Sequence, residues 1–540
     1  MVLAAFEAAI TGQNGSAIHP ILYQTRRAHG KEAGLPPKPI FESPSSFQVA
    51  KVGLTAVAKC QVDKMQNGAK NHDMKPLAVL LALLVAGSAL ANNISVTNVT
   101  VLNAAGGLAD VRFDLSWDNS WHNSWAENGG SLNLTNWDAA WVFVKFRPSG
   151  GHWQQAILSP SGHVATGGTQ IDVGANMAGQ PVGAFVHRAA DGNGTLSCPA
   201  MSLKWNYAAT GLGGTNSVDV SVFAIEMVYI PPGAFYVGSG GTESDAFYSG
   251  TNPAQPYQIT SEAAIAIGTN GMNYRNDSGR SGDQTGPIPA AFPKGSGAFY
   301  LMKYEISQGQ YTDFLNFLDP GLANTCFPNA YGSYRNTISR TNLLYTCDAP
   351  DRACNYLTPQ DFLIYLKWAA LRPMDELEYE KACRGPLFPV PNEYPWGDTL
   401  ITLMTGFSGV DGSGTETALP ANANACVNGP IGGPVRVGLF ATANSTRRDA
   451  GASYYGVMNL GDNLSELAVS VGDGYGRAFT DEPGDGNEWT APLTWPNPSG
   501  AGFGWRGGHW QHAYPTSDRT SADSAYDGTI FGGRGARSAP

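Results

Sequence analysis

Leu371-Arg372-Pro373-Met374-Asp375-Glu376-Leu377-Glu378-Tyr379-Glu380-Lys381-Ala382-Cys383-Arg384-Gly385 decides how the second half of this chain is read. Its start and stop signals predict a short helix from Asp375 to Arg384. Two amphipathic helices precede it. The first begins at Ser307, whose hydroxyl can cap the helix while Gln310 reaches back, and it sets Tyr311, Phe314, Leu315 and Leu318 on one face. The second runs from about Thr358 through Leu371 with Phe362, Leu363, Leu366 and Ala370 as its core stripe. Further upstream, Met227-Val228-Tyr229-Ile230-Pro231-Pro232-Gly233-Ala234-Phe235-Tyr236-Val237-Gly238-Ser239 reads as a strand, a Pro-Pro-Gly turn and another strand, which opens this unit. Beyond Gly385 the chain is rich in Gly, Pro and Asn to its end.

The residues before this unit follow a different pattern. From about Asn92 to Phe223 short apolar and polar runs alternate, as in Ile94-Ser95-Val96-Thr97-Asn98-Val99-Thr100-Val101 and Ala140-Trp141-Val142-Phe143-Val144-Lys145-Phe146. Gly, Asn and Ser clusters bound them, which predicts strands and a small β-sandwich. Trp117, Trp121 and Trp125 recur every four residues. They read either as an aromatic platform for sugars or as core and turn packing in a Trp-rich sheet, and packing is preferred.

At 540 residues the chain suits two domains plus a processed segment. Hydrophobic residues make up 42% and charged ones 14%, with 66 Gly, 35 Pro and 13 Trp, so short strands and structured turns outweigh long charged helices. The fold class expected is mainly β with irregular α+β. Met74-Lys75-Pro76, the apolar run 77–85 and Ala86-Gly87-Ser88-Ala89-Leu90-Ala91 read as a signal peptide cleaved after Ala91. A span needs ~20 apolar residues, so this run is too short to cross a membrane. Residues 1–73 then read as a start-site artefact or an extension.

Removing residues 1–91 takes nine Lys or Arg and five Asp or Glu from totals of 33 and 44, leaving a net charge of −15. Such acidity argues against nucleic-acid binding through a basic face and suits calcium. Of seven cysteines, Cys60 lies upstream of the signal; Cys198, Cys326, Cys347, Cys354, Cys383 and Cys426 remain. In an exported protein these could form disulfides, and Cys326 with Cys347 or Cys354 would staple a short loop. A zinc site is the weaker reading, because no CxxC spacing and no histidine pair accompany them.

Several of these segments together resemble a known family. The opening 227–239, the helix after Glu305-Ile306-Ser307, the stretch 371–385, Tyr394-Pro395-Trp396-Gly397-Asp398, Gly456-Val457-Met458-Asn459-Leu460-Gly461-Asp462-Asn463 and Trp505-Arg506-Gly507-Gly508-His509-Trp510 look like successive hallmarks of the formylglycine-generating, or sulfatase-modifying, family. The resemblance covers roughly residues 227–540 and implies an irregular variant of the C-type-lectin fold. It also implies a calcium site at Asn459, Asp462, the Leu464 carbonyl and Glu466, with Asp462 standing where the family often has Gly. The alternative there is a turn with an Asn-type cap and a solvated Glu.

The departures bear on function. The family's copper-binding, oxygen-using chemistry depends on a cysteine pair shortly after the motif matching Arg506-Gly507-Gly508, yet no cysteine follows Cys426. Formylglycine synthesis is therefore not expected. Related iron enzymes add a helical domain with metal-binding histidines, which this chain lacks, and His509 with His512 offers no third ligand.

The tail 506–537 sets Gly and Arg residues around a stretch rich in Tyr, His, Asp, Ser and Thr. This pattern resembles the variable proteins of diversity-generating retroelements, which display diversified C-terminal residues on a lectin-type surface; the alternative is an ordinary family C-terminus. His509, Gln511, His512, Tyr514, Asp518, Asp523, Tyr526 and Asp527 are the expected exposed ligand-binding residues. Arg506, Trp510, Arg519 and Arg534 are expected to hold the scaffold, with Ala513, Ser517 and Ala522 packed inward.

The reading is thus an extension (1–73), a signal peptide (74–91), a β-sandwich (92–225) and a formylglycine-generating-enzyme-like domain (226–540). The expected function is that of a secreted or cell-surface, non-catalytic protein that binds a protein or carbohydrate ligand, with no nucleic acid and no membrane span after cleavage. Two alternatives remain: a metal-dependent oxidoreductase of the same superfamily, and a cell-surface structural module. Sequencing the N-terminus of exported protein should give Asn92 first, and finding residues 1–73 attached would overturn the signal-peptide reading.

Overall fold

Strand β3 (Leu132–Pro148) is the element on which the two halves of the chain meet. From Ala139 to Phe146 it is buried at every position, a pattern only a strand covered on both faces can satisfy. Ala140, Val142, Val144 and Phe146 enter a core shared with β1 (Ser95–Ala105), β2 (Leu108–Glu127) and the strand Gly192–Asn206. Ala139, Trp141 and Phe143 point the other way, into a larger core with Tyr300, Phe314, Leu366 and Trp368. Lys145 shares that second face, where its ammonium donates to the carbonyls of Trp368 (2.7 Å) and Gly486 (2.6 Å). These contacts are found in a computed structural model that describes residues 93–540 apart from 215, 428–430, 443–444, 488–491 and 524–527. The expected extension, the signal peptide and its cleavage site lie outside the described residues.

The strand Val218–Ile230 pairs antiparallel with β3 from Asp138 to Pro148. On its other side its last residues, Met227 to Ile230, pair with Phe299–Met302, which in turn pairs with Gly535–Ser538, and that strand with Arg372–Pro373. One sheet of eleven strands therefore runs from the first half into the second. The boundary expected between residues 225 and 226 falls inside a single strand, and the described residues all belong to one unit. The apolar residues from Met227 continue a strand already under way rather than opening a new one. Among the described residues strand takes 36% and helix 11%, so the protein is mainly β with irregular α+β. Among the described residues no helix is long and apolar enough to cross a membrane.

The helices form where local signals place them. α1 (Gln308–Phe317) carries the Ser307–Gln310 capping box and buries Tyr311, Phe314 and Leu315. α2 (Pro320–Cys326), capped by Asp319, is one turn the sequence reading did not anticipate. α3 (Pro359–Trp368) ends before the expected Leu371 because Ala370 adopts φ +55° and turns the chain into the strand at Arg372. α4 (Glu376–Arg384) starts on Asp375, whose side chain accepts from the amides of Leu377 (2.7 Å) and Glu378 (2.9 Å).

α4 is short and rich in charge, yet every residue of it is buried. Its carboxylates explain how. Glu378 receives both arms of Arg372 at 2.8 and 2.6 Å. Glu376 receives Arg519 at 2.6 and 2.9 Å and Arg506 at 3.2 Å. Glu380 receives Arg384 (2.6 Å), Arg506 (2.8 Å) and the Gly238 amide (2.8 Å). Burial opposes ionisation of Glu380, but Arg384 and Arg506 outweigh it and hold the carboxyl below its ordinary range.

Glu376→Gln or Arg519→Met should lower the unfolding free energy by about 3–5 kcal/mol, the cost of leaving a buried partner uncompensated. Arg448→Met, at the surface pair with Asp398, should cost less than about 1 kcal/mol. Urea titration followed by tryptophan fluorescence reads both, and equal small losses would show that the network holds nothing.

Candidate functional site

The tail leaves the core at Arg506, in the strand Phe503–Arg506 paired with Ser465–Val469. The backbone then passes so close to its neighbour that side chains have no room. A Cβ on Gly507, whose φ is +78°, would lie 2.3 Å from the Leu460 carbonyl oxygen, and one on Gly508 would lie 2.1 Å from that of Gly461. A tight turn follows, closed by His509 N to His512 O (2.7 Å) and His512 N to His509 O (2.9 Å). It sends Trp510 inward, where the indole donates to the Thr529 carbonyl (3.0 Å), and leaves His512 exposed.

The expected scaffold is buried as anticipated: Arg506, Trp510, Arg519 and Arg534, with Ser517 and Ala522 packed inward. Arg519 also lies against the rings of Phe247 (4.0 Å) and Tyr274 (4.6 Å). Of the expected ligand-binding residues, His512 and Asp523 are exposed, and Gln511, Tyr514 and Asp518 are half-buried. Tyr526 and Asp527 lie outside the described residues.

His509 is a correction. It is buried, because the turn that exposes His512 folds its partner beneath it. Burial and the nearby His512 push its pKa down to about 4, so it is neutral at physiological pH. Its Nδ1 accepts from the Gln511 amide (3.2 Å).

His509, His512 and Tyr514 form a triangle of rings, with centroids 5.6, 5.9 and 6.2 Å apart. Two further aromatics adjoin this part of the tail. Tyr394 stacks on Trp396 at 4.8 Å, Ala513 packs on the small core around Trp396, and Thr516 N donates to the Glu393 carbonyl (2.8 Å). Burial and then Asp518 raise the pKa of both Tyr394 and Tyr514, placing both phenols near that carboxylate. Tyr394 was missed as a surface residue, although its motif was legible as a family hallmark. Its position beside the tail depends on a contact across more than one hundred residues.

The side chains of the expected calcium set are already bonded within the protein. The Asn459 side-chain oxygen accepts from Gly438 N (2.8 Å), while its amide donates to Asp462 (3.2 Å). The other Asp462 oxygen accepts from Cys426 N (2.8 Å), and burial raises that carboxyl to about 6. Leu464 N donates to Glu305 (2.9 Å). Both Glu466 oxygens accept from Arg534 at 2.6 Å. A guanidinium thus already neutralises the carboxylate that calcium would need, and these residues do not fit the ion. Among the described residues no group of three or more His, Cys, Asp or Glu is placed to hold a metal.

The expected cysteine staple is also absent. Cys198, Cys326, Cys347, Cys354, Cys383 and Cys426 are not joined in disulfides. Cys198, Cys383 and Cys426 sit in three different apolar cores, and Cys326 and Cys354 in a fourth. Burial pushes Cys198 and Cys347 up to about 11 and Cys383 up to about 12.

No protein-family model matches the chain, and no curated protein matches it. The surface must therefore be judged on its own chemistry. Tyr514→Ala and His512→Ala should change the unfolding free energy by less than about 1 kcal/mol, while Trp510→Ala should cost about 3–5 kcal/mol. Urea unfolding measures all three. Unfolding of the domain by Tyr514→Ala would make this stretch ordinary core.

Proposed function

We propose that this chain is a secreted or cell-surface, non-catalytic binding protein whose C-terminal surface holds a protein or carbohydrate ligand. The observation that carries this reading is the sorting of the tail. Its arginines and Trp510 are locked into the core, while His512 and Asp523 are exposed and Gln511, Tyr514 and Asp518 half-buried on the irregular backbone among them. Tyr supplies contact area at low entropy cost, and Gln and Asp supply adaptable hydrogen bonds, as in an antibody paratope.

The resemblance to retroelement variable proteins extends this proposal, because surface residues that bear no structural load are the ones a diversifying mechanism can alter safely. A formylglycine-generating activity is not part of it. No cysteine follows Cys426, and the thiols among the described residues are buried or partly buried.

Two measurements test the proposal. Sequencing the gene from many cells of one population should find substitutions concentrated at codons 511, 512, 514, 518 and 523, with 506, 510, 519 and 534 unchanged; an even spread would remove the diversified-surface reading. Purified protein with and without copper should leave a Cys-containing sulfatase peptide unconverted by mass spectrometry. Product above a no-enzyme control would overturn the non-catalytic reading.

A further inference from the structure

A cleft of a different character lies around the tryptophans of β2. Trp117 is core, only 1% exposed, with its indole donating to the buried Asp138 at 2.9 Å. Trp121 and Trp125 lie further along the same strand and are half-buried. They line an open cleft of about 660 Å³ whose far wall is formed by described residues between Arg436 and Met458, among them Thr442, Ser445, Arg447 and Tyr454. The packing reading of the three tryptophans therefore holds for Trp117 and in part for Trp121, which packs on the core around Tyr455 and Val457 while also facing the cleft, whereas Trp125 belongs to the cleft wall.

The rings in this cleft are fixed by their polar tips. Trp125 Nε1 donates to Glu127 (3.0 Å), and the Tyr454 hydroxyl donates to the same oxygen (2.6 Å), with the two rings 6.1 Å apart. Trp121 Nε1 donates to Asn136 (2.7 Å). Aromatic faces held in this way offer apolar area without further entropy loss on binding. Around them are the exposed amide of Asn123 and the hydroxyl-bearing rim of Thr442, Ser445 and Thr446. Ring faces interleaved with amides and hydroxyls match a pyranose, which presents a C–H face and a girdle of hydroxyls.

The charge of the cleft narrows the class further. The chain has a net charge of −11, yet among the described residues lining this cleft there is no Asp, Glu or His, whereas Lys303, Arg436 and Arg447 are present; the adjoining carboxylate of Glu127 is taken up by the Trp125 indole and the Tyr454 hydroxyl. Lys303 is balanced behind the wall by Glu226 at 3.0 Å. Arg436 is less well satisfied: one Nη donates to the Glu416 carbonyl (2.9 Å), but its Nε is buried without a hydrogen-bond partner, 4.0 Å from the nearest Glu416 carboxylate oxygen. Arg447 lies 5.5 Å from the Tyr454 ring and donates to the backbone carbonyls of Cys383, Pro395 and Ala452, so its hydrogen bonds fix its position without cancelling its charge.

From this geometry we infer that the cleft between Trp121, Trp125 and Tyr454 binds an acidic oligosaccharide, one bearing carboxylate or sulfate groups. The rings stack on the sugar faces, Asn123 and the rim hydroxyls meet the sugar hydroxyls, and Arg436 and Arg447 face the acid group. A focused positive potential in an otherwise acidic protein favours such a ligand over its neutral counterpart.

The test uses the full secreted chain and three probes: a trigalacturonate, a heparin-derived tetrasaccharide and neutral cellotriose, followed by tryptophan fluorescence and calorimetry. The carboxylated or the sulfated probe, or both, should give saturable binding that weakens with salt, and which of the two binds identifies the acid group. Cellotriose should bind at least about ten-fold more weakly. Trp125→Ala and, separately, Asn123→Ala should each weaken binding, the first by about ten-fold or more. Tyr514→Ala should leave it unchanged, which separates this site from the tail surface. No saturable binding of either acidic probe, equal binding of cellotriose, or full binding by folded Trp125→Ala and Asn123→Ala would each overturn the assignment.

Discussion

The buried carboxylates of Glu376, Glu378 and Glu380 are the constraint on which the rest of this structure depends. They sit on one short helix and meet Arg372, Arg384, Arg506 and Arg519, all of them inside the protein. Removing these charges from water is costly, and pairing mainly recovers that cost rather than adding a large surplus. The gain is in geometry. A bidentate guanidinium fixes distance and plane together, so strand, helix and tail are joined in a single register. A helix this polar has little apolar face with which to dock, and its partners must come from elsewhere in the chain.

Those partners set the frame of the tail. Arg506 lies at its start and Arg519 beyond its surface stretch, and both reach Glu376. The chain between them therefore begins and ends at fixed points only a helix turn apart in their contacts. Gly507 and Gly508 allow the first step past the neighbouring strand, Trp510 anchors the turn, and what remains must face outward. An irregular loop with pinned ends can present variable side chains without transmitting their changes to the core. This is the physical basis for regarding Gln511, His512 and Tyr514 as replaceable and Arg506 and Arg519 as not.

What the sequence disclosed, and what it concealed, follows from the range of the interactions. The capping boxes of α1 and the start of α4 were legible because cap and partner lie within one turn. Arg506 and Arg534 in the tail were legible from their setting among glycines. The continuity of Val218–Ile230 was not, because a Met-Val-Tyr-Ile run before Pro-Pro-Gly looks like a beginning unless its pairing with β3 is known. Glu466 looked like a metal ligand because its guanidinium partner lies 68 residues away. His509 looked exposed for the same reason as His512, and only the turn that joins them by two backbone bonds decides which faces inward. Trp121 and Trp125 followed the same spacing as Trp117, and their different fate depends on the far wall contributed by residues more than three hundred positions later.

The two surfaces are tied to one another by rigid contacts, and this bears on whether they could communicate. Arg534 pairs with Glu466, which lies opposite Arg506 at the root of the tail, and it also donates to the carbonyls of Lys303 and Met458, which line the cleft. A continuous path is therefore present. Coupling needs more than a path: some element on it must have two arrangements that the two ligands favour unequally. Arg534 is fully buried, both of its carboxylate bonds are 2.6 Å, and its remaining donors are spent on backbone carbonyls. A guanidinium so completely satisfied has no second partner set at hand and resists displacement from either side. The same network that joins the cleft to the tail thus insulates one from the other, and a protein whose tail varied would keep an unchanged second site.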